Sequence, residues 1–299
     1  MAISRTSTAA TLDLAAQGGT SALLGPERLM AKHRAENFPV ALRLLPAETR
    51  RHLLAIYGFA RLTDDAGDEA RGDRLALLDE IDRELDRIFA GETPRHALMQ
   101  QLAPSVRACA LPETPFRRLV QANRQDQRVS RYERYEDLVA YCTLSADPVG
   151  RLVLQVFGVA TPERIVQSDA ICTALQLVEH WQDVAEDLAA GRIYLPVEDL
   201  RRFGCSELDL KQASASPAVR RLMRFEVDRA RALLAQGEPL IGSLRGWARL
   251  AIAGFAAGGH AALDGIESQD CDVLQRPPRV QRRSWSWHFA RLLWRSRAR

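Results

Sequence analysis

Apolar residues recur at three- and four-residue spacing through most of this chain from Glu27 onward. Because an α-helix turns once in about 3.6 residues, this spacing places apolar side chains on one face of each segment. Alternating β-branched stretches, which are typical of strands, are few. The sequence therefore predicts an all-α fold.

Proline and glycine mark the predicted helix ends, and no long Gly, Ser or Pro linker divides the chain. With 299 residues and 46% hydrophobic content, one large core is feasible. We therefore predict a flexible N-terminal tail over residues 1–26, a single helical domain over 27–274 and a basic tail over 275–299. The predicted breaks are at Pro39, Pro46, Gly91 to Pro94, Leu111 to Pro115, Gly158 to Pro162, Gly204 to Ser206, Ser214 to Pro217 and Gly237 to Pro239.

Composition and charge limit the classes of function. The formal net charge of +3 does not by itself indicate a nucleic-acid partner. The five cysteines have neither metal-ligand nor disulfide-framework spacing, which favours a cytoplasmic location. There is no secretory signal pattern and no run of about 18 apolar residues, so any membrane contact is expected to be peripheral.

Two acidic clusters interrupt otherwise apolar helices. In the first, Asp64 and Asp68 share one helix face, as do Asp65 and Glu69. Like charges at this spacing repel by roughly 0.2 to 0.5 kcal/mol per pair unless a cation compensates. The first cluster therefore predicts a cationic ligand.

The second cluster places Glu179, Asp183 and Asp187 at successive four-residue steps, which predicts three carboxylates on one helical stripe. Magnesium takes oxygen ligands, usually one or two carboxylates completed by water and substrate phosphates. A single cluster of this kind is usually a solvated helix face. Two clusters with basic and aromatic neighbours favour a magnesium-diphosphate site, and those neighbours are Tyr57, Arg61, Arg192 and Tyr194.

Three segments of the sequence resemble the squalene/phytoene synthase family. They run from Glu36 to Pro46, from Tyr57 to Glu69 and from Gln182 to Pro196, and the resemblance extends from about Leu29 to Arg279. It implies an isoprenoid-synthase helical bundle with two aspartate-rich motifs facing each other across a central cavity. Within the family, the Glu36–Val40, Ser145–Gly150 and Glu179–Asp183 segments resemble the hydroxysqualene branch of hopanoid biosynthesis.

The resemblance also implies roles for individual residues. The magnesium ligands would be Asp64, Asp68, Asp183 and Asp187, with Glu179 as a further candidate. Tyr57 and Arg61 would contact the diphosphate. The remaining substrate-binding candidates are His33 or Arg34, which local alignment does not separate, together with Tyr141, Val149, Gly150, Gln176 and Arg279.

Four positions depart from patterns of the family. Glu179 replaces the usual Asn, and Asp147 replaces the Asn that is common in the hydroxysqualene branch. Condensing relatives carry Arg at the Gln182 position, and many relatives carry Tyr at His260. The last two differences favour a branch with different chemistry.

The function implied is that of a hydroxysqualene synthase, which ionises presqualene diphosphate with Mg²⁺ and captures the rearranged cation with water. His180, Glu179 and Gln182 are candidates for positioning that water. One alternative is a head-to-head condensing enzyme that makes presqualene diphosphate, squalene or phytoene. Another, from a different class, is a non-catalytic assembly or interaction protein on the same fold, and oligomeric state stays open.

The last 25 residues are rich in arginine and tryptophan and contain no acidic residue. Two interpretations stay open: a short amphipathic helix on an anionic membrane, or a disordered basic tail. Nucleic-acid binding is disfavoured because no recognition module accompanies the basic residues.

Overall fold

The structure is a computed structural model that describes residues 45–68, 70, 72–276, 278 and 280–296. These residues form fourteen α-helices and no strand, apart from one isolated bridge between Arg131 and Ile193. The predicted all-α fold is confirmed. The predicted N-terminal tail lies outside the described residues, as do His33, Arg34, Glu69 and Arg279.

The first of two compact units comprises the described residues up to Arg128. Its core is built around Phe59 and Phe116, which are fully buried and meet edge to face with ring centroids 5.0 Å apart. Phe59 is therefore a packing residue. The four helices are α1 (Ala47–Asp68), α2 (Arg74–Phe89), α3 (Ala97–Ala108) and α4 (Glu113–Asp126).

The second unit begins at Val129. Its described helices are α5 (Tyr135–Ser145), α6 (Asp147–Val156), α7 (Pro162–Gln182), α8 (Val184–Ala189), α9 (Val197–Arg202), α10 (Glu207–Leu210), α11 (Pro217–Gly237), α12 (Pro239–Ser243), α13 (Gly246–Ser268) and α14 (Arg282–Arg295). The unit is organised around α7, because α5, α6, α11, α12 and α13 all pack on it. Trp181 near the end of α7 is fully buried.

Local sequence explains several helix starts. Helix α7 begins at Pro162, a residue that needs no hydrogen-bond acceptor for its nitrogen, and the Thr161 hydroxyl accepts the Arg164 N–H. Helix α11 begins in the same way at Pro217, after Ser216. The predicted breaks from Gly91 onward each coincide with a helix end, whereas Pro39 lies outside the described residues.

Two expectations need correction. The helix bearing the second acidic cluster is not continuous, because α7 ends at Gln182 and α8 begins at Val184. The disordered alternative for the C-terminal tail is wrong for Arg282–Arg295, which form a helix packed on α13.

No helix among the described residues is long and apolar enough to cross a membrane. The single-domain boundary stays a prediction, because compactness does not show whether either unit folds alone.

Candidate active site

The first acidic motif is the described part of the first acidic cluster, Asp64, Asp65 and Asp68, and it lies at the end of α1. The Asp64 carboxylate accepts a hydrogen bond from the Asn123 side-chain amide of α4 at 3.2 Å. Burial raises the pKa of Asp64 to about 6, with a further rise from Asp68, while Asn123 and Arg61 act in the opposite direction. Ionising Asp64 therefore costs more free energy here than in water, and an added cation would reduce that cost.

Arg61 and Asp65 form a buried ion pair on the same helix, with 3.2 Å between Arg61 Nε and Asp65 Oδ1. Asp65 is buried, whereas Asp64 and Asp68 are partly exposed. Tyr57 is buried one turn before Arg61. Contact of Tyr57 and Arg61 with diphosphate stays a prediction.

Gly67 lets α1 end directly against α4. A Cβ at Gly67 would collide with the Asn123 side chain, and the Gln127 amide donates to the Gly67 carbonyl at 2.8 Å. Asn123 and Gln127 thus hold the end of the first motif. Sequence reasoning missed both, since they lie about sixty residues from the motif and no local spacing links them to it.

The second acidic motif spans the junction of α7 and α8. Although the helix is interrupted at Asp183, the Asp183 N–H donates to the Glu179 carbonyl at 3.0 Å and the Asp187 N–H to the Asp183 carbonyl at 2.8 Å. These bonds preserve the four-residue register of the three acidic residues. All three side chains are partly exposed.

His180 lies beside this motif in an aromatic setting. Its Nδ1 is 3.9 Å from an Asp187 carboxylate oxygen, its Nε2 is 3.2 Å from the Gln176 amide nitrogen, and its ring stacks on Tyr194 at 3.6 Å. The structure therefore brings together Gln176 and His180, two of the predicted site residues. These contacts orient the His180 ring toward Asp187.

Tyr141 belongs to the same aromatic cluster. Its ring centroid lies 5.5 Å from that of Tyr132, 6.0 Å from that of Tyr194 and 6.3 Å from that of His180. Tyr132 had no sequence signal of its own. Faces of aromatic rings tolerate a nearby positive charge, so this cluster suits a carbocation.

Gly150 has a packing role in the structure. A Cβ there would lie 2.5 Å from both Cys172 Sγ and Ser168 Oγ, so only glycine lets α6 approach α7 this closely. Val149 beside it is partly exposed. Substrate contact at Val149 and Gly150 stays a prediction.

Asp147 stands where the hydroxysqualene branch commonly has Asn. Burial, with Asp169 nearby, raises the pKa of Asp147 to about 7, although Thr173 donates to its carboxylate at 2.9 Å. A substantial fraction is therefore neutral near pH 7, like the amide of asparagine. Thr173 thus holds Asp147 by a hydrogen bond between α7 and α6.

The resemblance implies two further departures from the family's pattern, at Gln182 and His260. The Gln182 amide donates to the Pro278 carbonyl at 2.9 Å, which holds the segment before the C-terminal helix beside the second acidic motif. His260 Nε2 lies 3.0 Å from Glu238 Oε1, and its ring stacks on that of His288. Neither of these partners belongs to an acidic motif. Arg279 lies outside the described residues.

The donor atoms fit magnesium better than a metal that needs a complete protein cage. Among the described residues, no three His, Cys, Asp or Glu side chains converge on one metal position. Magnesium requires only one or two carboxylates when substrate phosphates complete its shell. The pairs Asp64 with Asp68 and Asp183 with Asp187 each supply that number.

The family model of squalene/phytoene synthases matches residues 31–286. This chain belongs to the squalene/phytoene synthase family. Its members process prenyl diphosphates in isoprenoid biosynthesis, so the chain is an enzyme of this type, and the non-catalytic alternative loses its support.

Individual relatives divide between two activities. The chain is 35% identical over 263 residues to a 15-cis-phytoene synthase of Synechocystis sp., covering 83% of this chain and 78% of that protein. It is 35% identical over 217 residues to a hydroxysqualene synthase of Rhodopseudomonas palustris, covering 71% and 73%. The crystal structure of squalene synthase HpnC from Alicyclobacillus acidocaldarius matches with a TM-score of 0.77 and 44% identity, covering 82% of this chain and 92% of that one. The predicted isoprenoid-synthase fold is confirmed.

Proposed function

We propose that the protein is a hydroxysqualene synthase of hopanoid biosynthesis that acts on presqualene diphosphate. The carbon–oxygen bond to diphosphate breaks, and its electron pair leaves with the diphosphate. The resulting cyclopropylcarbinyl cation rearranges with opening of the ring, and one water forms the new carbon–oxygen bond and loses a proton. The products are hydroxysqualene and diphosphate, and the balance requires no reductant.

The carboxylates of Asp64, Asp68, Asp183 and Asp187, with Glu179 as a fifth ligand, would hold Mg²⁺, and Arg61 and Tyr57 would contact the diphosphate. Mg²⁺, when bound, neutralises negative charge that develops on the leaving group. In this proposal the two acidic motifs act on one diphosphate. The aromatic cluster of Tyr132, Tyr141 and Tyr194 would face the cation and exclude stray water.

Gln182 is the observation that carries the choice of branch. Condensing relatives place a positive guanidinium at this position, whereas here a neutral amide is engaged by the Pro278 carbonyl. The site therefore lacks one cation beside Asp183, which suits a reaction with a single diphosphate rather than two. The hydroxysqualene synthase of Rhodopseudomonas palustris, a relative of the same branch, is 35% identical to this chain.

Substrate specificity tests this proposal. Purified protein with Mg²⁺ is incubated separately with farnesyl diphosphate and with presqualene diphosphate in water enriched in ¹⁸O, and extracts are analysed by mass spectrometry. We expect hydroxysqualene carrying one ¹⁸O atom from presqualene diphosphate only. Presqualene diphosphate, squalene or phytoene formed from smaller prenyl diphosphates would instead identify a condensing enzyme.

The location proposed is the cytoplasm, with peripheral membrane contact through the C-terminal segment. Presqualene diphosphate and hydroxysqualene both carry long hydrocarbon chains, which favour a lipid phase over water. Oligomeric state stays open.

A further inference from the structure

Helix α14 is fixed on the second unit by polar and apolar contacts. The Ser284 hydroxyl donates to Asp264 of α13 at 2.5 Å, and His288 Nε2 lies 2.7 Å from the same carboxylate. The Trp285 indole donates to the Gly254 carbonyl at 3.2 Å, and Leu292 is buried. The inner face of α14, which carries these four residues, is therefore packed against the second unit.

The last turn of α14 is tied to the first turn of α13. Arg249 donates to the Leu293 carbonyl at 2.8 Å and to the Ser296 hydroxyl at 2.6 Å. Trp247, in the same turn of α13, is 43% exposed, and Leu250 is 38% exposed. Apolar groups of α13 thus extend the surface near this end of α14.

The outer face of α14 combines exposed indoles with arginines. Trp287 is 60% exposed and Trp294 is 75% exposed, and their seven-residue spacing places both on one side of the helix. No acidic residue occurs in α14. We call this surface the outer face, and its exposed members are Arg282, Arg283, Ser286, Trp287, Ala290, Trp294 and Arg295.

This combination matches the chemistry of a membrane surface. Tryptophan prefers the boundary between headgroups and acyl chains, where its ring is shielded from water and its N–H can still donate. Arginine is attracted to anionic lipids at roughly 1 kcal/mol per charge. A positively charged face without acidic residues therefore complements an anionic bilayer.

We propose that the outer face of α14 docks the folded enzyme on an anionic lipid bilayer. Trp287 and Trp294 enter the headgroup boundary, while Arg282, Arg283 and Arg295 contact lipid phosphates. A free amphipathic helix would insert its leucines, but here Leu292 is packed against the protein. The helix thus binds the membrane while it stays packed on the protein. Docking does not depend on which prenyl diphosphate the enzyme uses.

Vesicle flotation of the full chain tests the proposal. Phosphatidylcholine vesicles with and without phosphatidylglycerol are compared at low and high salt. We expect the protein to float with the phosphatidylglycerol vesicles. High salt should reduce this binding, because it shortens the range of the attraction between the arginines and the anionic lipids. Trp287→Ser/Trp294→Ser should lower the partition constant by about tenfold or more, since two indoles no longer leave water.

Leu208→Ser provides the matched control, because Leu208 is 68% exposed on α10, a different helix. It should float like the wild type, and circular dichroism should show equal folding of all variants. Arg282→Gln/Arg283→Gln should weaken the preference for phosphatidylglycerol, since two of the three arginines on the outer face are neutralised. The proposal would be overturned if the wild type did not float with the vesicles, or if the tryptophan variant floated as well as the wild type. It would also be overturned if the protein bound a duplex oligonucleotide but no vesicles, because the outer face would then be a nucleic-acid surface.

Discussion

At the scale of single residues, Asp64 shows how a site can be held in an unfavourable charge state. Its pKa of about 6 in the folded protein lies above the value of about 3.9 expected when it is unfolded. Between these values the folded state binds the extra proton, so the contribution of Asp64 to stability falls as pH rises through this window. A divalent cation beside Asp64 would offset this penalty.

Two glycines of α1 offer a residue-scale prediction. Alanine favours a helix over glycine by roughly 1 kcal/mol, so Gly58→Ala should be neutral or stabilising, since its Cβ meets only Leu98 Cδ2 at 3.5 Å. Gly67→Ala should destabilise by roughly 1 to 3 kcal/mol, because the new Cβ displaces Asn123. Asn123 would then release Asp64, and turnover should fall in this variant alone.

Denaturant unfolding and steady-state kinetics measure the two effects. Gly58→Ala is the matched control, because it makes the same chemical change on the same helix. A Gly67→Ala enzyme that unfolds and turns over like Gly58→Ala would show that Asn123 does not hold the first motif.

At the scale of elements, the sequence predicted helix ends wherever a local signal exists. Pro162 and Pro217 begin helices, and Gly91, Gly158 and Gly204 lie at helix ends in backbone conformations with positive φ. The interruption at Asp183 has no such signal, since neither proline nor glycine is near it. Local sequence reasoning therefore missed it.

In the candidate site too, the relations set by local spacing were predictable from the sequence, whereas contacts between distant residues were not. Spacing within one helix predicted that Asp64 lies near Asp68, since helical geometry alone determines that relation. Spacing could not predict the amide that Asn123 supplies to Asp64 or the stacking of Tyr194 on His180. Those contacts join residues that are distant in the chain, and only the packed fold brings them together.

The attachment of α14 to α13 should depend on pH through His288. Burial lowers the pKa of His288, and His260 and Arg291 add to this effect, although Asp264 opposes it. Burial alone would raise the pKa of Asp264, but hydrogen bonds from Ser284 and His288 hold it below its usual value. Arg231 of α11 also contacts this carboxylate at 3.3 Å.

These shifts give a definite sign. A histidine with a lowered folded pKa remains neutral in the protein while the unfolded chain takes up a proton, so stability should fall as pH decreases from about 7 to 5. Asp264, with its lowered pKa, should cause a further loss below about pH 4. Thermal unfolding across this range should be compared with His288→Gln, which should flatten the first decline. The same slope in both proteins would contradict the assignment to His288.

At the scale of the whole molecule, each compact unit contributes one pair of aspartates four residues apart. Neither pair contains enough protein ligands for a closed metal site. In the proposed function both pairs act on one magnesium-bound diphosphate, whose phosphate oxygens complete the metal shell. If so, the two pairs should be thermodynamically coupled through that ligand.

A double-mutant cycle measures this coupling. Mg²⁺ and diphosphate together should raise the melting temperature of the wild type by binding only the folded state. Asp64→Asn and Asp183→Asn should each abolish diphosphate release and most of this rise, and the double variant should lose little more, a coupling of about 1 kcal/mol or more. Asp228→Asn removes one exposed negative charge from α11 and should behave like the wild type. Additive losses would mean that the two pairs bind separate ligands, and an undiminished rise in both single variants would refute the metal assignment.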